Sequence, residues 1–297
     1  MMNENYSKIE NVKIVLPENV IENGTIVIED GTIKEIIIHD SNKENKLILM
    51  PGFIDIHNDS LERAIAPRSG VPFPLPVILR EFDSELAVHG ITTVYHCVAF
   101  AEMGEMTNPL RFRKKALEIL NEINSLKKYF KINTLIHLRY EILDVVSLPE
   151  ITSLVKNNEI NFLSLMDHTP GFGAFSDFEN YRKYVTRSGL SAHDAEKTYN
   201  ERINLRKKLN MKDIKNLVKL CIEKNIPVAT HDDHTAEKID WSVENNIGIA
   251  EFPTTNVALD YAREKGLFTV FGASNLVRGG SHVGNLSAMD VLENYGK

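Results

Sequence analysis

Four short segments combine histidine with carboxylates: Ile56-His57-Asn58-Asp59, His137-Leu138-Arg139-Tyr140-Glu141, Met166-Asp167-His168 and His231-Asp232-Asp233-His234. Each closes an apolar run and reads as the C-terminal end of a β-strand. Imidazole nitrogen and carboxylate oxygen are the donors of catalytic zinc and related divalent ions. Residues i and i+2 of a strand point the same way, so His57 and Asp59 can reach one ion together. A lone histidine is more often simply hydrogen-bonded, and His89, His96 and His193 read that way. Delivery from separate strands sets His57, Asp59, His168 and His231 apart as metal ligands. Glu141 is a fifth candidate, with an ion pair to Arg139 as its alternative. Asp232 and Asp233, beside His231, read as groups that orient it or act as bases.

A second set is basic and glycine-rich: Pro67-Arg68-Ser69-Gly70, Thr169-Pro170-Gly171-Phe172-Gly173 and Asn275-Leu276-Val277-Arg278-Gly279-Gly280-Ser281-His282. Glycine lets backbone N–H groups approach an anion, and arginine grips phosphoryl oxygens with two parallel bonds. Arg68, Arg139 and Arg278 are therefore candidates to bind a phosphorylated small molecule, with His282 assisting. The alternative is tight turns carrying solvated arginines. Cys97 and Cys221 sit in apolar stretches and read as core residues. Neither a nucleophile elbow nor the glycine-rich loops of dinucleotide and nucleoside-triphosphate sites are present.

These side chains need a scaffold. Val12–Leu16, Gly24–Ile28 and Thr32–Ile38 read as strands separated by turns at Glu22-Asn23-Gly24 and Glu29-Asp30-Gly31. They form a small sheet over residues 1–50. Over residues 51–297, apolar strands at Gly52–His57, Thr92–Val98, Ile132–Ile142, Asn161–Asp167, Pro227–Asp232, Gly248–Pro253 and Phe268–Ala273 alternate with helical patterns. Those patterns are Leu110–Lys128, Ser191–Leu209, Asp213–Asn225 capped by Asp213, Ala236–Asn246 and Asn256–Lys265. Strand–helix alternation predicts a parallel sheet, as a (β/α)-barrel or, alternatively, a doubly wound open sheet.

The 297 residues carry 34 Lys+Arg against 41 Asp+Glu, a net charge of −7, which argues against general nucleic-acid binding. No apolar run approaches the roughly 20 residues that span a bilayer, and no signal peptide is evident. Two cysteines in apolar surroundings suit a reduced compartment. The expectation is a cytoplasmic protein that contacts neither membrane nor nucleic acid.

"MPGFIDIH" after a β-rich N-terminus resembles the opening of the amidohydrolase superfamily. "HNDSLERAIAPRSGV", "GITTVYH", "HLRYE", "SLMDHTPGFGAFSDFENYRKYV", "HDDHT", "IAEFPTT" and "GASNLVRGGSHVGNLSA" resemble, in that order, the diphosphatases of phosphonate metabolism. The resemblance implies hydrolysis of a ribose 1-methylphosphonate 5-triphosphate to the 5-phosphate and pyrophosphate. It implies one or two divalent ions, zinc above all, on His57, Asp59, Glu141, His168 and His231. It also implies a further strand bearing an aspartate that binds metal and handles the proton of the attacking water, whereas this sequence stops at Lys297. The expected fold is thus α/β, a metal-dependent (β/α)-barrel of the amidohydrolase type lacking its last strand, with a small N-terminal β-sheet domain. An unpaired strand edge would favour self-association or binding to other phosphonate-pathway proteins. The competing functions are a cyclic-amide hydrolase or deaminase on this fold and a non-catalytic subunit.

Overall fold

The computed structural model describes residues 6–40, 47–68, 71–102, 108–171, 178–187, 191–280 and 285–296. The chain divides into two compact units, Met1–Phe53 and Ile54–Lys297.

In the first unit, β1 (Tyr6–Val15), β2 (Val20–Glu29), β3 (Thr32–Ile38) and β4 (Ile48–Leu49) lie in the order β3-β2-β1-β4. β2 runs antiparallel to β1 and β3, and β4 adds to β1 in parallel. Val12, Ile14, Ile21 and Ile26 form its buried apolar cluster. Asp30 and Gly31 both have positive φ (50° and 77°), the geometry of a tight hairpin turn. The second expected turn is corrected. Asn23 and Gly24 lie inside β2, and the chain reverses instead near Leu16–Asn19, where Leu16 N–H donates to the Asn19 carbonyl at 2.9 Å. Gly24 permits close approach: a Cβ there would lie 2.7 Å from Ile14 Cδ1 and 3.0 Å from the Ile37 carbonyl oxygen.

The second unit holds β5 (Phe53–Asn58), β6 (Ile91–Phe100), β7 (Asn133–Glu141), β8 (Phe162–Met166), β9 (Val228–His231), β10 (Ile249–Glu251) and β11 (Phe268–Val270). Their order in the sheet follows chain order, and the pairs from β6 to β11 are parallel. A doubly wound sheet reverses strand order at a switch point, so this topology is of the barrel type. Helices α1 (Ser60–Ile65) and α2 (Leu75–Val88) follow β5, α3 (Arg113–Leu126) follows β6 and α4 (Leu148–Lys156) follows β7. α5 (Phe178–Arg187), α6 (Ala192–Lys208) and α7 (Met211–Glu223) follow β8. α8 (Ala236–Glu244), α9 (Asn256–Glu264), α10 (Ala273–Arg278) and α11 (Ala288–Tyr295) complete the order.

Alternation along the strands decides what faces where. On β7, Ile136, Leu138 and Tyr140 join the main hydrophobic cluster. His137, Arg139 and Glu141 occupy the opposite pleat. α7 buries Ile214, Leu217, Val218 and Cys221, the stripe expected of an amphipathic helix. Its N-cap is Asn210, whose side chain accepts from Lys212 N–H, rather than Asp213. Asn is as good a cap as Asp, and the chain turns three residues earlier than the periodicity indicated. Among the described residues, no helix is long and apolar enough to cross a membrane.

Candidate metal centre

His57 projects from the end of β5 with Asp59 two residues on. Its Nε2 lies 3.3 Å from Asp59 Oδ2 and its Nδ1 lies 3.1 Å from Glu251 Oε1. Glu251 ends β10, and β6, β7, β8 and β9 separate it from β5 in the sheet. A contact of this length across that interval requires the sheet to curl. Glu251 is fully buried, and its Oε2 accepts from Ser164 Oγ of β8 at 2.6 Å. Burial alone would raise its pKa, but the neighbouring histidines hold it below the usual carboxylate range.

Arg139 is buried between two predicted ligands. Nη1 donates to Asp59 Oδ1 at 2.9 Å, and Nη2 lies 3.2 Å from His231 Nε2. A guanidinium only donates, so His231 accepts on Nε2 and carries its proton on Nδ1. That Nδ1 faces Asp232 Oδ2 at 3.0 Å. Burial opposes charge on His57, yet hydrogen bonds to Asp59, Cys97 and Glu251 push its pKa up to about 11. Arg139 and His57 likewise outweigh burial at Asp59 and hold that carboxyl below its usual range.

Glu141 and His168 form an adjoining group. Glu141 does not pair with Arg139. Its Oε2 instead lies 2.7 Å from His168 Nδ1 and accepts from His168 N–H at 3.3 Å, because Asp59 and His231 already occupy the guanidinium. Arg202 of α6, which the sequence reading missed, donates to the His168 carbonyl at 2.9 Å. Asp232 joins the two groups, with Oδ2 3.0 Å from His231 Nδ1 and 3.9 Å from His168 Nε2. Its φ of 55° marks a left-handed turn that Asp tolerates better than bulkier residues.

Two expected roles change. Asp233 points away from the cluster: its Oδ2 accepts from Thr230 Oγ1 at 2.6 Å, with Lys238 Nζ 3.7 Å from Oδ1. It fastens β9 to α8, because the turn at Asp232 sends successive carboxylates to different sides. Arg139 is likewise committed to Asp59 and His231 rather than open to an anion. Arg68 and Arg278 are exposed, and their guanidinium groups make no hydrogen bond or ion pair among the described residues. His282, Ser69, Gly70, Phe172, Gly173 and Ser281 lie outside the described residues.

The structure adds donors that strand-end reasoning passed over. His137 Nδ1 lies 3.0 Å from the Ile56 carbonyl and must donate to it, which leaves the Nε2 lone pair. Nε2 is buried, has no hydrogen-bond partner and sits 3.6 Å from Glu251 Oε2. Burial pushes His137 down to about 3, so it stays neutral. A neutral imidazole fixed through one nitrogen, with its other lone pair beside a buried carboxylate, suits a cation. Donor atoms of His57, His231 and Glu251 also lie within 4.8 Å of one another, as do those of His57, Cys97 and His137. The residues therefore fit a divalent ion. Phe252 packs in T-shaped contact with His57 and His231, with ring centroids 4.9 Å and 5.2 Å away. Its φ of 51° is strained for a bulky side chain. Glu251 gave only a weak signal, as an ionisable residue at the end of a three-residue strand, and His137 as the residue one pleat before Arg139.

No family model matches the chain. It is 30% identical over 291 residues to the alpha-D-ribose 1-methylphosphonate 5-triphosphate diphosphatase of Escherichia coli (strain K12), covering 96% of this chain and 76% of that protein. Among solved structures, an uncharacterized protein superposes with a TM-score of 0.52 at 13% identity, covering 98% of this chain and 69% of that one. That likeness concerns the fold. A mutant N-acetyl-D-glucosamine-6-phosphate deacetylase from Mycobacterium smegmatis gives a TM-score of 0.48 at 9% identity over 84% of this chain and 57% of that one. On its identity to the Escherichia coli enzyme across nearly its whole length, this chain belongs to the alpha-D-ribose 1-methylphosphonate 5-triphosphate diphosphatase family.

Proposed function

We propose that this chain is a metal-dependent hydrolase that converts alpha-D-ribose 1-methylphosphonate 5-triphosphate to the 5-phosphate and pyrophosphate. Family membership supports the substrate. The single structural observation that supports metal dependence is the buried meeting of Glu251 with His57, His231 and the unpartnered His137 Nε2. His57, His231 and Glu251 would hold the ion, with Asp59 beside them, and Glu141 and His168 would hold a second. Mixed imidazole and carboxylate donors suit zinc. A bound divalent ion supplies Lewis-acid charge and lowers the pKa of water toward about 7.

The chain's own residues do the rest. Water oxygen bonds to phosphorus, a P–O–P bond breaks, and pyrophosphate leaves with the electron pair. Asp232, between His231 and His168, takes the proton of that water at a carboxylate oxygen. Burial raises its proton affinity, but His231 outweighs this and keeps it ionised as a base. Arg139 holds Asp59 in place through Nη1, and its Nη2 would give up the His231 Nε2 lone pair to the ion. Arg68 and Arg278, with no competing partner among the described residues, meet the outer phosphoryl oxygens. The two free cysteines and the small phosphorylated substrate support a cytoplasmic setting.

The direct test uses the purified chain, stripped with a chelator and reloaded with zinc. Pyrophosphate release from the ribose phosphonate triphosphate should vanish on stripping and return on reloading. A zinc-loaded chain that releases none would overturn the proposal.

A further inference from the structure

Cys97 does not behave as a simple core residue. It lies on β6 directly beside His137 of β7 in the parallel register, so the two side chains share one face. Sγ is 3.6 Å from His137 Nδ1, and Cys97 and His137 are 3% and 0% exposed. Cys221, by contrast, packs in the main hydrophobic cluster with Leu217 and Val218. The donor atoms of His57, Cys97 and His137 all fall within 4.8 Å of one another. His137 Nδ1 donates to the Ile56 carbonyl, and its Nε2, 3.6 Å from Glu251 Oε2, is buried without a hydrogen-bond partner among the described residues. A thiol, an imidazole with an idle lone pair and a second imidazole together make a nitrogen–sulfur donor set.

We propose that Cys97, with His57 and His137, forms a soft metal-binding set for a thiophilic divalent ion such as zinc or cadmium. It adjoins the His57–His231–Glu251 set and shares His57 with it. Binding forms a metal–sulfur bond and releases the thiol proton to solvent. Thiolate sulfur favours soft ions over magnesium, calcium or manganese. The centre should therefore take cadmium and zinc in preference to those hard ions. The inference concerns donor chemistry alone and stands apart from the diphosphatase reading.

The test is a titration of the chelator-stripped chain with cadmium, without substrate, read by the ultraviolet thiolate-to-cadmium charge-transfer band. Circular dichroism checks that each protein is folded. The wild-type chain should develop the band, Cys221→Ser should keep it in full and Cys97→Ser should lose it. His137→Gln should weaken the cadmium affinity read from the band by at least about tenfold. The chain has two cysteines, so a band retained in Cys221→Ser assigns the ligand even where Cys97→Ser fails to fold. No band in the wild type, a band lost in folded Cys221→Ser, or a band kept in folded Cys97→Ser overturns the proposal. An unchanged affinity in His137→Gln overturns the three-residue set.

Discussion

The two sheets bury the same branched aliphatic side chains, yet among the described residues only the larger one buries charge. In the first unit, Val12, Ile14, Ile21 and Ile26 close an apolar cluster, and its buried polar residues, Asn23 and Thr25, are uncharged. In the second, His137, Arg139, Glu141, His231 and Glu251 are buried on strands whose opposite faces are apolar. Burying an isolated charge is expensive, and such groups persist when paired or when they hold a metal. Here charged groups at or just past the strand ends pair across strands: Arg139 with Asp59, His168 with Glu141, His57 with Glu251. The apolar sheet needs only burial. The charged rim needs several strand ends in place at once, which marks it as the working part of the molecule.

The comparison breaks first at Glu251. Glu251→Gln keeps the shape but removes the carboxylate that His57 and His137 face. Zinc affinity should fall by about 10–100-fold, with pyrophosphate release falling alongside it. Elemental analysis after dialysis and a turnover assay would check both, and full zinc retention would remove Glu251 from the centre. Ile14→Ala empties part of the small apolar cluster and should cost about 2–5 kcal/mol in denaturant unfolding of the first unit. Zinc per folded chain should stay unchanged, and loss of zinc would show that the two sheets are not separate in kind.

Smaller effects sharpen the contrast. Gly24→Ala forces a methyl group against Ile14 and the Ile37 carbonyl and should cost about 1–3 kcal/mol in the same unfolding experiment. A neutral result would mean that the strands there spread freely. Arg278→Ala removes an exposed guanidinium and should raise KM about tenfold, roughly 1.4 kcal/mol, with kcat nearly unchanged. A drop in kcat alone would assign Arg278 to the reaction step rather than to binding.

Much of the scaffold was legible in the residues. Val- and Ile-rich runs marked the strands because buried strands of a parallel sheet must be apolar on both faces over most of their length. The Asp30-Gly31 turn followed from its need for positive φ. The identical logic failed at Asn23-Gly24, where glycine serves the close approach of Ile14 instead. Asp59, His57 and His231 stood out because charged residues ended apolar runs. Glu251 and Cys97 did not: one ends a strand of three residues, and the other looks like any buried small side chain.

Residue types and alternation by themselves determined that β-strands alternate with helices and that histidines and carboxylates crowd the strand ends. Which of those groups meet was decided only by tertiary structure. His57 and Glu251 are 194 residues apart and lie on strands that are not neighbours in the sheet. Nothing local encodes their contact. It exists because strands laid side by side in chain order twist, the sheet curls, and side chains from its distant strands converge on one interior point.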